Sequence, residues 1–176
     1  MSEDLPIKTW FSIDPKYALL VGVTQMTYAR FESAVVDIIG FHVKGFRSDF
    51  YCSVQFNPRD LKVKLSEIGK PSDRAKIELI QAAYQRAIYL RNALDHSVPY
   101  GGPDGYDALH PPRGVQKPNR TSIFPDGNPF RNTSFDYETL RREAQKMARS
   151  VNEAEDFFYE LRARNHAGEL FPGDPC

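Results

Sequence analysis

From Asp73 to Ser97 no glycine or proline interrupts the chain, while Ile77, Ile80, Tyr84, Ala87, Ile88 and Leu94 return at helical steps. A stripe of this period can be buried only as one face of a helix packed against other apolar faces. Ser72 is the expected N-cap, and Pro99 with Gly101-Gly102 marks the stop. Asp14-Pro15 opens an earlier helix, since Asp caps well and Pro at the first helical position loses only an orphan donor. There Tyr17, Leu20, Val21, Thr24, Tyr28, Phe31, Val35, Ile38 and Ile39 form the stripe, to about Val43 with Gly45 beyond. Asn57-Pro58 starts a shorter helix with Leu61, Leu65 and Ile68 inward, ended by Gly69 and Pro71. Ser134 or Asp136 caps the last, which carries Leu140, Ala144, Met147, Val151, Ala154, Phe158 and Leu161 and fades at Arg164-Asn165-His166.

The expected fold is therefore all-α: a four-helix up-and-down-type bundle with a long Pro/Gly-rich loop between the third and fourth helices. It reads as one domain over 14–166, preceded by a segment 1–13 and followed by a flexible tail 167–176. The loop, about 98–133, is far longer than ordinary connections, which marks it as functional or partly unstructured.

At 176 residues the chain can bury a core without staples. Its 23 basic and 23 acidic residues cancel, so any polyanion must be met by a local patch rather than a global field. Cys52 and Cys176 form no disulfide framework, which suits a reducing compartment. The acidic start lacks the apolar core of a signal peptide, and no run reaches membrane-spanning length. These features predict a soluble cytoplasmic protein without membrane contact.

The chemistry-bearing residues gather at Arg91-Asn92-Ala93-Leu94-Asp95-His96. Arg91 supplies a permanent forked cation, Asn92 an amide and His96 an imidazole that moves protons near neutral pH. Asn92 and His96 are four apart and share a helix face, while Arg91 and Asp95 share the neighbouring one and can pair. The plain alternative is that Arg, Asn and His simply satisfy the carbonyls and dipole of a last helical turn.

A long apolar third helix ending in Arg-Asn-x-x-x-His resembles the HEPN superfamily (higher eukaryotes and prokaryotes nucleotide-binding domains), whose signature Arg91, Asn92 and His96 match. Only those residues are specific; the helical frame from about Asp14 to His166 carries the rest. The resemblance implies a metal-independent endoribonuclease in which two motifs share one composite site across a homodimer. His96 would move the proton of the ribose 2′-hydroxyl or of the leaving 5′-oxygen. Arg91 would stabilise phosphate charge, and Asn92 would orient its neighbours. Other members keep the fold as a non-catalytic binding or dimerising module. A toxin or defence effector with a protein antitoxin or regulatory partner fits the catalytic branch.

Two supporting features are expected. Glu32, mid-helix on the edge of its stripe, either pairs with Arg91 or is solvated. In the loop, Tyr100, Tyr106, Phe124 and Phe130 stand among Arg113, Lys117, Arg120 and Arg131. Of these, Tyr100, Arg113, Lys117 and Arg120 are candidates to stack bases and hold phosphates of single-stranded RNA. They serve equally as a cover for the bundle with solvated cations. His42, His96, His110 and His166 are scattered and no Cys-x-x-Cys occurs, so neither a metal nor another cofactor is expected.

Overall fold

The computed structural model describes residues 15–43, 58–68, 70–95, 98–102, 105–110, 129–130 and 135–166. Their core is helical: α1 (Pro15–His42), α2 (Pro58–Glu67), α3 (Arg74–Asp95) and α4 (Tyr137–His166). A 3-10 turn, Pro71–Asp73, leads into α3 in place of the expected Ser72 cap, with the Asp73 amide donating to the Lys70 carbonyl at 2.9 Å. At the head of α4 the choice falls on Asp136, whose carboxylate accepts from the Thr139 amide at 2.6 Å. That bond holds the Asp136 carboxyl below its ordinary range.

Residue pairs along the helices fix their directions. Gln25 meets Asp95, and Phe31 meets Tyr84, so α3 runs against α1. Arg86 meets Glu143, and Arg164 meets Asp73, so α3 also runs against α4. Tyr17 packs edge-on against Tyr137, and Arg30 forks onto Glu155, so α1 and α4 run in the same direction. That departs from an up-and-down order, in which the first and last of four helices oppose each other. The segments 43–57 and 96–134 are long enough to carry the chain back along the helices, whereas only short links force antiparallel neighbours.

The long connection also differs from expectation. Val98–Gly102 (β1) and Gly105–His110 (β2) form an antiparallel ladder with an irregularity between Tyr100 and Gly101. The short strand Phe135–Asp136 (β3) adds to β2, with Leu109 opposite Phe135. The physical reason was present in the sequence: Gly102-Pro103-Asp104-Gly105 is turn chemistry between two extended runs. Near the other end of the connection, the Phe130 ring packs on Phe135 and lies 4.8 Å from the Arg86 guanidinium carbon. This pins that end of the connection to α3.

Phe31, Val35, Ile38 and Ile39 of α1, Tyr84 of α3, and Leu140, Phe157 and Leu161 of α4 are fully or almost fully buried in one cluster. On α4 the inward ring is Phe157, one position before the expected Phe158, which is only partly buried. Three buried polar side chains find partners inside the described fold, although the second oxygen of Asp73, Oδ2, has none. Thr24 donates back to the Leu20 carbonyl, Glu143 receives both Arg86 and Lys146, and Asp73 receives Arg164 at 2.9 Å. The two phenylalanines give a clean test of this packing. Phe157→Ala should destabilise by about 3–5 kcal/mol, and Phe158→Ala by clearly less, in urea unfolding followed by circular dichroism.

Candidate functional site

Arg91 lies one turn before the end of α3, on the face that also carries Tyr84, Ile88 and Asp95 and that turns toward α1. Its guanidinium carbon sits 5.0 Å from the centre of the Tyr28 ring, and the side chain keeps about 31% of its surface exposed. Its Nε is buried and has no hydrogen-bond partner. Nη1 reaches Asp95 Oδ2 at 3.4 Å, at the outer limit of a useful bond. The guanidinium is thus held by an aromatic face while most of its donors remain unspent.

Asp95 is an acidic residue in a last helical turn, where the dipole disfavours it. Gln25 of α1 compensates by donating from Nε2 to Asp95 Oδ1 at 2.7 Å. The chain Gln25–Asp95–Arg91 therefore ties the end of α3 to α1. The expected Arg91–Asp95 pairing is present. Asn92 is half-buried beside Arg91. His96, Arg113, Lys117 and Arg120 lie outside the described residues, and of Tyr100 only the backbone, in β1, is described.

Glu32 is neither solvated alone nor paired with Arg91. Its Oε1 accepts the hydroxyl of Tyr28 at 3.0 Å and that of Tyr84 at 3.2 Å. The two rings stack at 6.2 Å with 13° between their planes. Tyr28 thus stands between the carboxylate and the cation: its hydroxyl serves Glu32 and its face serves Arg91. Cation and carboxylate act on the same ring from different sides, which periodicity could not reveal because both tyrosines count there as apolar. Gln25, the third residue absent from the expected set, gives no signal in sequence beyond lying on the flank of α1.

Burial raises both tyrosine pKa values well above the ordinary range. For Tyr28 the Tyr84 hydrogen bond and Arg91 act the other way, while Glu32 adds to the rise. For Tyr84 both Tyr28 and Glu32 add to it. Both hydroxyls are therefore neutral donors at any physiological pH. Among the described residues no group of three or more His, Cys, Asp or Glu side chains is placed to hold a metal, and no helix is long and apolar enough to cross a membrane. No protein-family model, curated protein or solved structure matches the chain.

The tyrosine shifts carry a sign that can be measured. An unfolded chain ionises its tyrosines near pH 10, whereas folded Tyr28 and Tyr84 stay protonated, so stability falls as pH rises above that value. Ultraviolet titration should show Tyr28 and Tyr84 resisting ionisation until the protein unfolds. Tyr28→Phe and Tyr84→Phe together should shrink that late step by two tyrosines.

Proposed function

We propose that the chain is a HEPN-type, metal-independent endoribonuclease acting in the cytoplasm as a toxin or defence effector. The observation that carries the reading is the state of Arg91: a half-buried guanidinium set on the Tyr28 ring, with a buried unpaired Nε and one long contact to Asp95. The planar guanidinium, held from behind by the Tyr28 ring, could grip an anion through its terminal nitrogens, the buried Nε being closed to an incoming group. A phosphodiester offers two oxygens at matching spacing.

In the proposed reaction the ribose 2′-oxygen attacks the adjacent phosphorus, the bond to the 5′-oxygen breaks, and a 2′,3′-cyclic phosphate forms. Arg91 stabilises the charge on the phosphorus oxygens. His96 takes the 2′-hydroxyl proton or supplies one to the leaving 5′-oxygen, and Asn92 orients them. One chain supplies one such imidazole, whereas the step benefits from a base and an acid together. A homodimer in which two motifs serve one phosphate meets that need. Tyr100, Arg113, Lys117 and Arg120 of the long connection are proposed to hold flanking nucleotides by stacking and charge. A protein antitoxin or regulator would mask the Arg91 edge.

The second reading is a non-catalytic helical binding or dimerisation module. The Gln25–Asp95–Arg91 chain favours it, because an internal carboxylate already faces the cation.

Cleavage of a mixed RNA by the purified chain in excess chelator decides between them. The ribonuclease reading expects cyclic-phosphate ends, with Arg91→Ala and His96→Ala each lowering the rate by at least about 100-fold. Absence of cleavage by the wild type, or cleavage that survives both substitutions, rejects it. Tight RNA binding without cleavage gives the binding-module reading.

A further inference from the structure

One face of α1 carries Gln25, Tyr28 and Glu32 at three- and four-residue steps, and one face of α3 carries Tyr84, Ile88, Arg91 and Asp95 in the same way. The helices run against each other, so these faces meet pair by pair: Glu32 with Tyr84, Tyr28 with Arg91, and Gln25 with Asp95. The first two pairs build the support under the guanidinium. The third decides what stands at its edge.

Asp95 is the carboxylate in contact with Arg91. A carboxylate closes an arginine best when its two oxygens take two donors of the guanidinium fork. Here the two oxygens are divided. Oδ1 accepts Gln25 Nε2 at 2.7 Å, and Oδ2 turns to Arg91, whose Nη1 is 3.4 Å away. A forked contact through Nε is shut off as well, because that nitrogen is buried. Arg followed four residues later by Asp is also the weaker order for a helical ion pair. Asp95 therefore sits beside the cation without capping it.

We infer that Gln25 is the positioning residue of this site: by holding Oδ1 of Asp95 it keeps that carboxylate from forking onto Arg91, and so leaves the terminal guanidinium edge to a phosphate of single-stranded RNA. The inference rests on the reading of Arg91 as a phosphodiester contact, and adds to it a built-in competitor and the residue that restrains it. An amide suits the role, because it donates to one carboxylate oxygen without adding charge. An apolar side chain at position 25 would leave both Asp95 oxygens to Arg91. The Arg91 and Asp95 side chains are 31% and 39% exposed, so a closed pair between them would be screened by solvent. A pair of that kind can hold off a ligand by about two- to fivefold.

Fluorescence anisotropy of a labelled 2′-O-methyl RNA oligomer tests the inference on the full chain, since blocking the attacking oxygen allows binding without cleavage. Gln25→Met keeps the length of the side chain and removes the donor, and should weaken binding by about two- to fivefold. Asp95→Asn should tighten it by at least about twofold. In the double variant, Gln25→Met should have no further effect, because the competitor it releases is gone. A side chain that only held the helices together, or that touched RNA itself, would weaken binding in either background.

Unchanged binding in Gln25→Met, an equal loss in both backgrounds, or no gain in Asp95→Asn overturns the inference. The last of these decides even if Gln25→Met does not fold. Arg91→Ala separates this inference from the reading beneath it. If that variant loses the oligomer while the Gln25 and Asp95 variants bind like wild type, the phosphate contact stands and the restraint is wrong. If the wild type does not bind the oligomer, or Arg91→Ala binds it equally well, the phosphate contact is wrong and the restraint goes with it.

Discussion

Glu32 accepts both the Tyr28 and Tyr84 hydroxyls in the middle of α1, the helix that packs against α2, α3 and α4 alike. The junction of α1 with α3, and with it the support of Arg91, is built on that arrangement. Two phenols brought this deep into a helical core need an acceptor, since a buried hydroxyl left without one costs about 1–3 kcal/mol. A single carboxylate supplies it for both. The stacked rings then fill the space between α1 and α3 and present the outer face of Tyr28 to Arg91. The core and the candidate site are thus consecutive parts of one stack, and the position of Arg91 is set by packing.

How much of this could be read in the sequence follows from what each signal measures. Apolar period gave the four described helices and most of their inward faces, because Phe31, Val35, Ile38 and Ile39 have no polar group to place. It missed by one residue on α4, where Phe157 and Phe158 are equally apolar and only the neighbouring helices decide which ring turns in. It also treated Tyr28 and Tyr84 as plain hydrophobes, so the Glu32 acceptor and the cation–ring contact were invisible. The Arg91–Asp95 pair was legible because four-residue spacing on a helix is nearly a distance statement. Gln25 was not, because its partner lies seventy positions away.

Helix direction was legible only where the connection is short. Six residues or fewer oblige neighbouring helices to oppose each other, as α2 and α3 do through the Pro71–Asp73 turn. Here Gln81 donates to the Lys62 carbonyl and Arg74 reaches the Ser66 carbonyl. The segments before α2 and before α4 impose no such constraint. The glycine- and proline-rich stretch after α3 was dense enough in turn residues to hide the extended runs on either side of 103–104. Its β2 strand gains a further partner only through β3, more than twenty residues on. A local reading weighs the turn and has no access to the distant strand.

The contact between Arg91 and Asp95 bears on how such a site can be both stable and available. The pair is partly exposed, with side-chain accessibilities of 31% and 39%, so its attraction is screened and worth at most about 1 kcal/mol. Asp95 is held more firmly by Gln25 than by Arg91, at 2.7 Å against 3.4 Å. On the proposed reading, an incoming anion would therefore engage the terminal guanidinium nitrogens without dislodging Asp95 from Gln25. The aromatic support beneath the cation is unchanged by that exchange, because Tyr28 is fixed from its other end by Glu32. The arrangement orients a positive charge on the Tyr28 face, and Asp95 at 3.4 Å offsets that charge only in part.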